Sequence, residues 1–209
     1  MSIDTPSVVP EEQQIDLTNA ETVTRILEEG TPEELEKFRV FNNLTPERVR
    51  LVSDFAKLRR RTKDQDEWEG EQRKEQNPKA TEEELSAGVY KEHLEPQVRD
   101  AIFALRRKGY TTYESGFSAR YDRQMVSFEK NHLENFQLPE DLVQKLAGLG
   151  VKAEVNPNRV SLTFEKFTEL DEIKKIWDEI SEALPDLGGP AEPSQLQGAK
   201  SFREKQSEI

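Results

Sequence analysis

Two arginines, two aromatic rings and a glycine fall together in the segment Ser115-Gly116-Phe117-Ser118-Ala119-Arg120-Tyr121-Asp122-Arg123. Arg120 and Arg123 are suited to fork onto a phosphate or a carboxylate, because a guanidinium presents paired N–H donors in one plane. Phe117 or Tyr121 could stack on a base, with Ser115 and Gly116 opening the same segment. Read as a hairpin turn, 116–123 is longer than the turn of the hairpin that follows later in the chain, and loops on rigid scaffolds are where binding groups are usually mounted. The same residues have a plainer reading. The rings fold back on the core, and the arginines pair with Glu114 or Asp122. A second feature stands apart: Trp68 is the one large apolar residue between Arg59 and Glu84, and it either packs back on the fold or anchors a partner.

Other chemistry is sparse. The only histidines, His93 and His132, have no metal-ligand spacing, and with no cysteine in the chain neither a metal nor another cofactor is predicted. His132 with Glu129 could exchange a proton, and Ser115 or Ser118 could act as a nucleophile, which frames a small-molecule hydrolase as a third reading. No G-x-S-x-G elbow supports it. Neither a G-x-x-x-x-G-K-[ST] loop nor a G-x-G-x-x-G turn is present. The cluster Arg59-Arg60-Arg61-x-Lys63, with Arg106-Arg107-Lys108, invites a nucleic-acid reading, but Asp64, Asp66, Glu67, Glu69 and Glu71 answer it at once. A salt-bridged, solvated helix is the expectation there.

Gly109 to Arg120 reads GYTTYESGFSAR. These twelve residues resemble the strand-turn segment of the tRNA wybutosine-synthesis methyltransferase family, where Tyr-Thr-Thr precedes a Ser-Cys-Ser-Gly-Arg turn. The chain lacks that cysteine and the Gly-Arg pair. What the resemblance implies is a functional role for the first hairpin turn.

Those residues need elements to hold them. Asn19 can cap a helix carrying Val23, Ile26 and Leu27, which Gly30 stops. Thr31-Pro32-Glu33-Glu34 and Thr45-Pro46-Glu47 start two more, with the cap, the first-turn proline and the acids that favour a helix N-terminus. Thr81 with Glu84 spells a capping box. From residue 94 onward the apolar spacing alternates between helical and strand-like. Pro96 opens a helix that Gly109 ends; Tyr110–Ser115 and Gln124–Lys130 read as strands; Pro139 opens a helix closed by Gly150. Val151 to Phe164 forms a hairpin around Asn156-Pro157-Asn158, and a helix with Ile173, Ile176, Trp177 and Ile180 on one stripe completes the order. The halves parallel one another. Met125 to Lys130 ends in Phe-Glu-Lys, as does Ser161 to Lys166, which is either an internal duplication or the coincidence of two amphipathic strands.

The expected class is therefore α+β: a helix-strand-strand-helix-strand-strand-helix domain with a four-stranded, mainly antiparallel sheet, preceded by a small all-helical N-terminal unit. The expected divisions are a disordered tail at 1–18, a helical unit at 19–58, a charged helical arm at 59–93, the α+β domain at 94–187 and a disordered tail at 188–209. The 209 residues carry 30 Lys+Arg against 42 Asp+Glu, a net charge of -12, so a protein that coats nucleic acid through its overall field is disfavoured. The longest apolar run is far short of the roughly 20 residues of a membrane helix. Without a leader-like start or cysteines, a cytoplasmic protein is expected. The leading expectation is a non-enzymatic adaptor that binds a protein partner through the α+β domain or the charged arm. The alternative is an RNA-related binding protein or RNA-modifying enzyme using the 115–123 loop.

Overall fold

The structure, a computed structural model, describes residues 15–75 and 81–189, with side chains for all of them except 63–75 and Glu92. The expected tails thus lie largely outside the described residues. Ile15 and Leu17, at the edge of the first, pack against the core.

Each capping signal does its work. Asn19 accepts from the Thr22 N–H at 2.9 Å and starts α1 (Ala20–Glu29). Thr31 and Glu34 form a reciprocal capping box at the head of α2 (Pro32–Phe41), with Pro32 where a missing N–H costs nothing. The Thr45 hydroxyl accepts from the Arg48 N–H at the head of α3 (Pro46–Glu75). That helix is continuous over 30 residues, so the expected third helix and the first part of the charged arm, 59–75, share one backbone rod, about 45 Å long at 1.5 Å per residue. α4 (Glu82–Ala87) opens on the Thr81–Glu84 capping box and closes on Gly88. A 3-10 turn at Lys91–His93 leads to α5 (Arg99–Arg107).

The remaining elements are β1 (Thr112–Phe117), β2 (Arg123–Phe128), α6 (Glu140–Gly148), β3 (Val151–Asn156), β4 (Arg159–Phe164) and α7 (Leu170–Ala183). The strands form one antiparallel sheet in the order β1-β2-β4-β3, so the second strand of each hairpin lies at the centre. The expected α+β architecture is the observed one. The β2–β4 register pairs Arg123 with Thr163, Met125 with Ser161 and Ser127 with Arg159. Adding 36 to each β2 number gives a β4 residue and returns the same set of pairs, so a two-fold axis normal to the sheet passes at Met125 and Ser161.

Side chains alternate across a strand. Val126, Phe128, Val160, Leu162 and Phe164 are buried on the inner face, where the helices lie. Trp177 of α7 reaches that face and donates its indole N–H to the Gln124 side-chain Oε1 at 2.8 Å. The α3 ring of Phe55 sits 5.7 Å from Phe117, 5.3 Å from Phe164 and 5.2 Å from Phe167, so the N-terminal helices and the sheet share one core. Lys108, just past α5, donates to the carbonyls of Ser181, Glu182 and Leu184, capping the negative end of α7 and tying the two helices together. Among the described residues, no helix is long and apolar enough to cross a membrane.

Because Phe55 is fully buried in the shared core, Phe55→Ala should cost about 3–5 kcal/mol, the usual loss for deleting a buried phenylalanine. In urea denaturation the helical and sheet signals should fall together in one transition at lower midpoint. Two separate transitions in the wild type, or an unchanged midpoint in the variant, would refute a common core.

Candidate functional site

The first hairpin is tighter than its sequence suggests. β1 runs through Gly116 and Phe117 and β2 starts at Arg123, which leaves 118–122 as the turn. Gly116 is therefore a strand residue, with φ of +101°. A Cβ there would stand 2.5 Å from the Glu95 carboxylate. That carboxylate accepts from the Phe117 N–H at 3.0 Å, the Gln97 amide at 2.7 Å and the Arg59 Nε at 3.1 Å. Glu95 thus satisfies an outward donor of edge strand β1, and the missing side chain of Gly116 is what lets it approach.

The two rings point inward. Phe117 packs on Phe55 in the core. Tyr121 takes a left-handed φ of +55°, is buried, exchanges a hydrogen bond of 3.1 Å with Thr24 of α1, and lies under the Arg59 guanidinium at 5.8 Å. Buried Asp122 pairs with Arg48 of α3. The turn is a packed corner that fastens α1 and α3 to the sheet, and neither ring is open for stacking. Ser115 lies half-buried on the inner-face side of β1, across from Val126. Arg120 stands exposed at the turn tip. Asp122 goes to Arg48 and Glu114 to Ser127, so neither carboxylate takes Arg120 or Arg123.

Arg123 does something else. It is the first residue of β2 and lies on the outer face, the side away from the helices, with Met125 and Ser127 after it. Across the centre of the sheet stand Thr163, Ser161 and Arg159, and β3 adds Lys152 and Glu154. Lys152 and Glu154 are exposed; Arg123, Met125, Arg159 and Thr163 are half-exposed. Arg159 donates its Nε–H to the Ser127 hydroxyl at 3.1 Å, and that hydroxyl donates onward to Glu114 at 3.3 Å, which leaves the terminal fork of Arg159 facing outward. Among the described residues, neither that fork nor the Arg123 guanidinium has a hydrogen-bonding partner. Glu154 is held below the usual carboxylate range chiefly by Lys152 at 2.9 Å, with Arg123 as a lesser contributor. Arg159 went unnoticed in the sequence, although the 36-residue offset between the two Phe-Glu-Lys endings carries Arg123 onto it.

The other sites resolve as follows. The side chain of Trp68 lies outside the described residues; its backbone is in α3. The basic clusters are largely committed. Arg59 pairs with Glu95, Arg60 with Glu29 and Arg107 with Glu83, while Arg106 is buried and donates to the Ala87 and Thr112 carbonyls. His132 packs edge-on to Tyr110 at 5.6 Å, with its Nε2 unpartnered, and no hydrogen bond joins it to Ser115 or Glu129. No group of three or more His, Cys, Asp or Glu placed to hold a metal occurs among the described residues. No protein-family model, no curated protein and no solved structure matches the chain, so the twelve-residue resemblance has no family match behind it.

Two variants probe this geometry. Gly116→Ala should destabilise by at least about 1 kcal/mol for its positive φ alone, and more because of the Glu95 contact. Thermal melting should show that the same substitution costs less in a Glu95→Ala background; an equal cost in both would deny the contact. Burial first, and the Lys130 charge second, lower the pKa of His132 from 6.5. The unfolded chain then binds the proton more tightly, so stability falls as pH drops through about 6.5. Denaturation midpoints between pH 8 and 5.5 should fall less in His132→Gln than in wild type, and parallel curves would contradict the assignment.

Proposed function

We propose that the chain is a cytoplasmic, non-enzymatic interaction module that presents the outer face of its sheet to a protein partner. The observation that carries this reading is the pair Arg123 and Arg159, both half-exposed on the outer face of the sheet, with the terminal nitrogens of Arg159 and the whole Arg123 guanidinium free of hydrogen-bonding partners among the described residues. The contrast with the rest of the molecule is informative. Arg25, Arg39, Arg48, Arg59, Arg60 and Arg107 all sit against carboxylates, and Arg106 is consumed by backbone carbonyls; among the described residues Arg61 and Arg120 are also uncommitted, but they stand exposed on a helix and at a turn tip rather than side by side on a sheet. An unpaired guanidinium fork on a preorganised surface is a group that binds at little entropic cost. A binding role is also favoured over catalysis by how the polar groups around the first turn are employed: Tyr121, Asp122 and Glu95 all serve as ties between helices and sheet.

The RNA-related alternative asks Phe117 or Tyr121 to stack on a base, and both are buried. It remains a distinct outcome of the test. A photoreactive residue placed at Met125 in the full chain should yield discrete protein adducts in cell extract. The same residue at Val143, exposed on α6, serves as the control position. Adducts specific to position 125 that vanish in an Arg123→Ala, Arg159→Ala background are expected. Equal labelling at both positions, no labelling, or adducts removed by nuclease would overturn the reading.

A further inference from the structure

We infer that this outer face reads an extended acidic segment of the pattern acid-x-apolar-x-acid; the inference rests on the interaction-module reading and names the partner's chemistry. Arg123 is the first residue of β2 and Arg159 the first of β4, and each stands opposite a hydroxyl residue, Thr163 for Arg123 and Ser127 for Arg159. The two-fold axis at Met125 and Ser161 makes the backbone positions of the two arginines equivalent, although only Arg159 bonds the hydroxyl opposite it.

Their separation is set by the sheet. Four residues along the strand and one step across it, at about 3.3 Å and 4.8 Å, put their Cα atoms about 14 Å apart. An extended segment spans about 13 Å over four residues and turns residues i, i+2 and i+4 to the same side. Carboxylates at i and i+4 then come within reach of the two long arginine side chains, and the side chain at i+2 falls over the centre of the face, at half-exposed Met125 and its neighbour Ser161. A helix places i and i+4 only about 6 Å apart, so a pair of acids at this spacing fits the two positions only when the segment is extended.

Charge narrows the partner further. Glu114 on β1 and the Lys152–Glu154 ion pair on β3 flank the central strands, so the two arginines form two points within a mixed-sign face rather than a basic stripe. A polyanion with a charge at every step would run onto those carboxylates; a segment with two spaced acids and neutral residues between them would not. The face thereby selects against a nucleic-acid backbone and for discrete carboxylates. Arg159 is the better fixed of the two, because its Nε–H is held by Ser127, and its planar fork suits bidentate carboxylate contact.

The test is selection of a displayed library of random twelve-residue peptides against the full chain, beside the Arg123→Glu, Arg159→Glu variant. Wild type should enrich two acids four residues apart around an apolar residue, and the variant should enrich Lys or Arg at the same two positions. An enriched peptide, fluorescently labelled, should weaken tenfold or more with either arginine changed to alanine. Arg159→Lys should weaken it without changing the preferred sequence. Both side chains reach solvent, so melting temperatures near wild type are expected and serve as the folding control. Enrichment without the acid pair, or binding indifferent to charge reversal, overturns the inference. A single-stranded RNA oligonucleotide that binds in an Arg123- and Arg159-dependent manner while no peptide is enriched overturns it in favour of a polyanion. Position-125 adducts with no acid pattern would leave the interaction module standing and remove only the acidic partner; loss of both would remove the two together.

Discussion

An antiparallel sheet with one apolar face has to be covered, and here the ring of Phe55 is the piece of the covering that joins the two halves of the chain. It lies among Phe117 from the first hairpin, Phe164 from the second and Phe167 beyond it. Once that ring is lodged, α3 can lie in only one way. Arg48 then meets Asp122, Arg59 meets Glu95, and α1 brings Thr24 to Tyr121. The polar contacts fix direction and register, whereas burial of apolar surface supplies the driving force. The left-handed conformation of Tyr121 is the local cost of turning that corner, and the surrounding contacts are what hold it.

Much of this was readable in the sequence because it depends on local signals. The caps at Asn19, Thr31, Thr45 and Thr81 act within one turn of helix, and the Asn156-Pro157-Asn158 turn acts within its own hairpin. The four-stranded antiparallel sheet followed from two hairpins and the helices between them, whereas its order, with β2 beside β4, came only with the structure. What escaped depended on distant residues. Gly116 carries the signature of a turn, yet it lies in a strand because the carboxylate of Glu95 needs the space. Phe117 and Tyr121 read as loop aromatics, but their surroundings come from α1 and α3. The length of α3 was obscured because its apolar stripe ends near Leu58 while its backbone continues to Glu75. Arg159 was hidden in plain view, since a residue opening an ordinary strand gains meaning only when the sheet sets it beside Arg123.

The acidic balance of the chain gains meaning from where its cations go. In a protein with a net charge of -12, guanidinium groups are in short supply relative to carboxylates. Most of those described hold helices to one another or to the sheet, so the charged composition is partly internal scaffolding rather than a surface field. Arg106 shows the extreme: desolvation pulls its pKa down, and its donors are spent on Ala87 and Thr112 inside the fold. On the outer face of the sheet this pattern lapses for two arginines at once.

The register symmetry about Met125 and Ser161 has a consequence for polarity. A two-fold axis normal to a sheet exchanges the two ends of anything laid across its centre. The central residues of this face therefore present nearly the same sequence of groups whether a segment runs one way or the other. Orientation has to be imposed from outside the centre, by what breaks the symmetry: Glu114 beyond β2 on one flank, and the Lys152–Glu154 pair beyond β4 on the other. Affinity and direction are thereby assigned to different strands, and a change at the edges can reverse how a segment lies without altering how tightly the middle holds it.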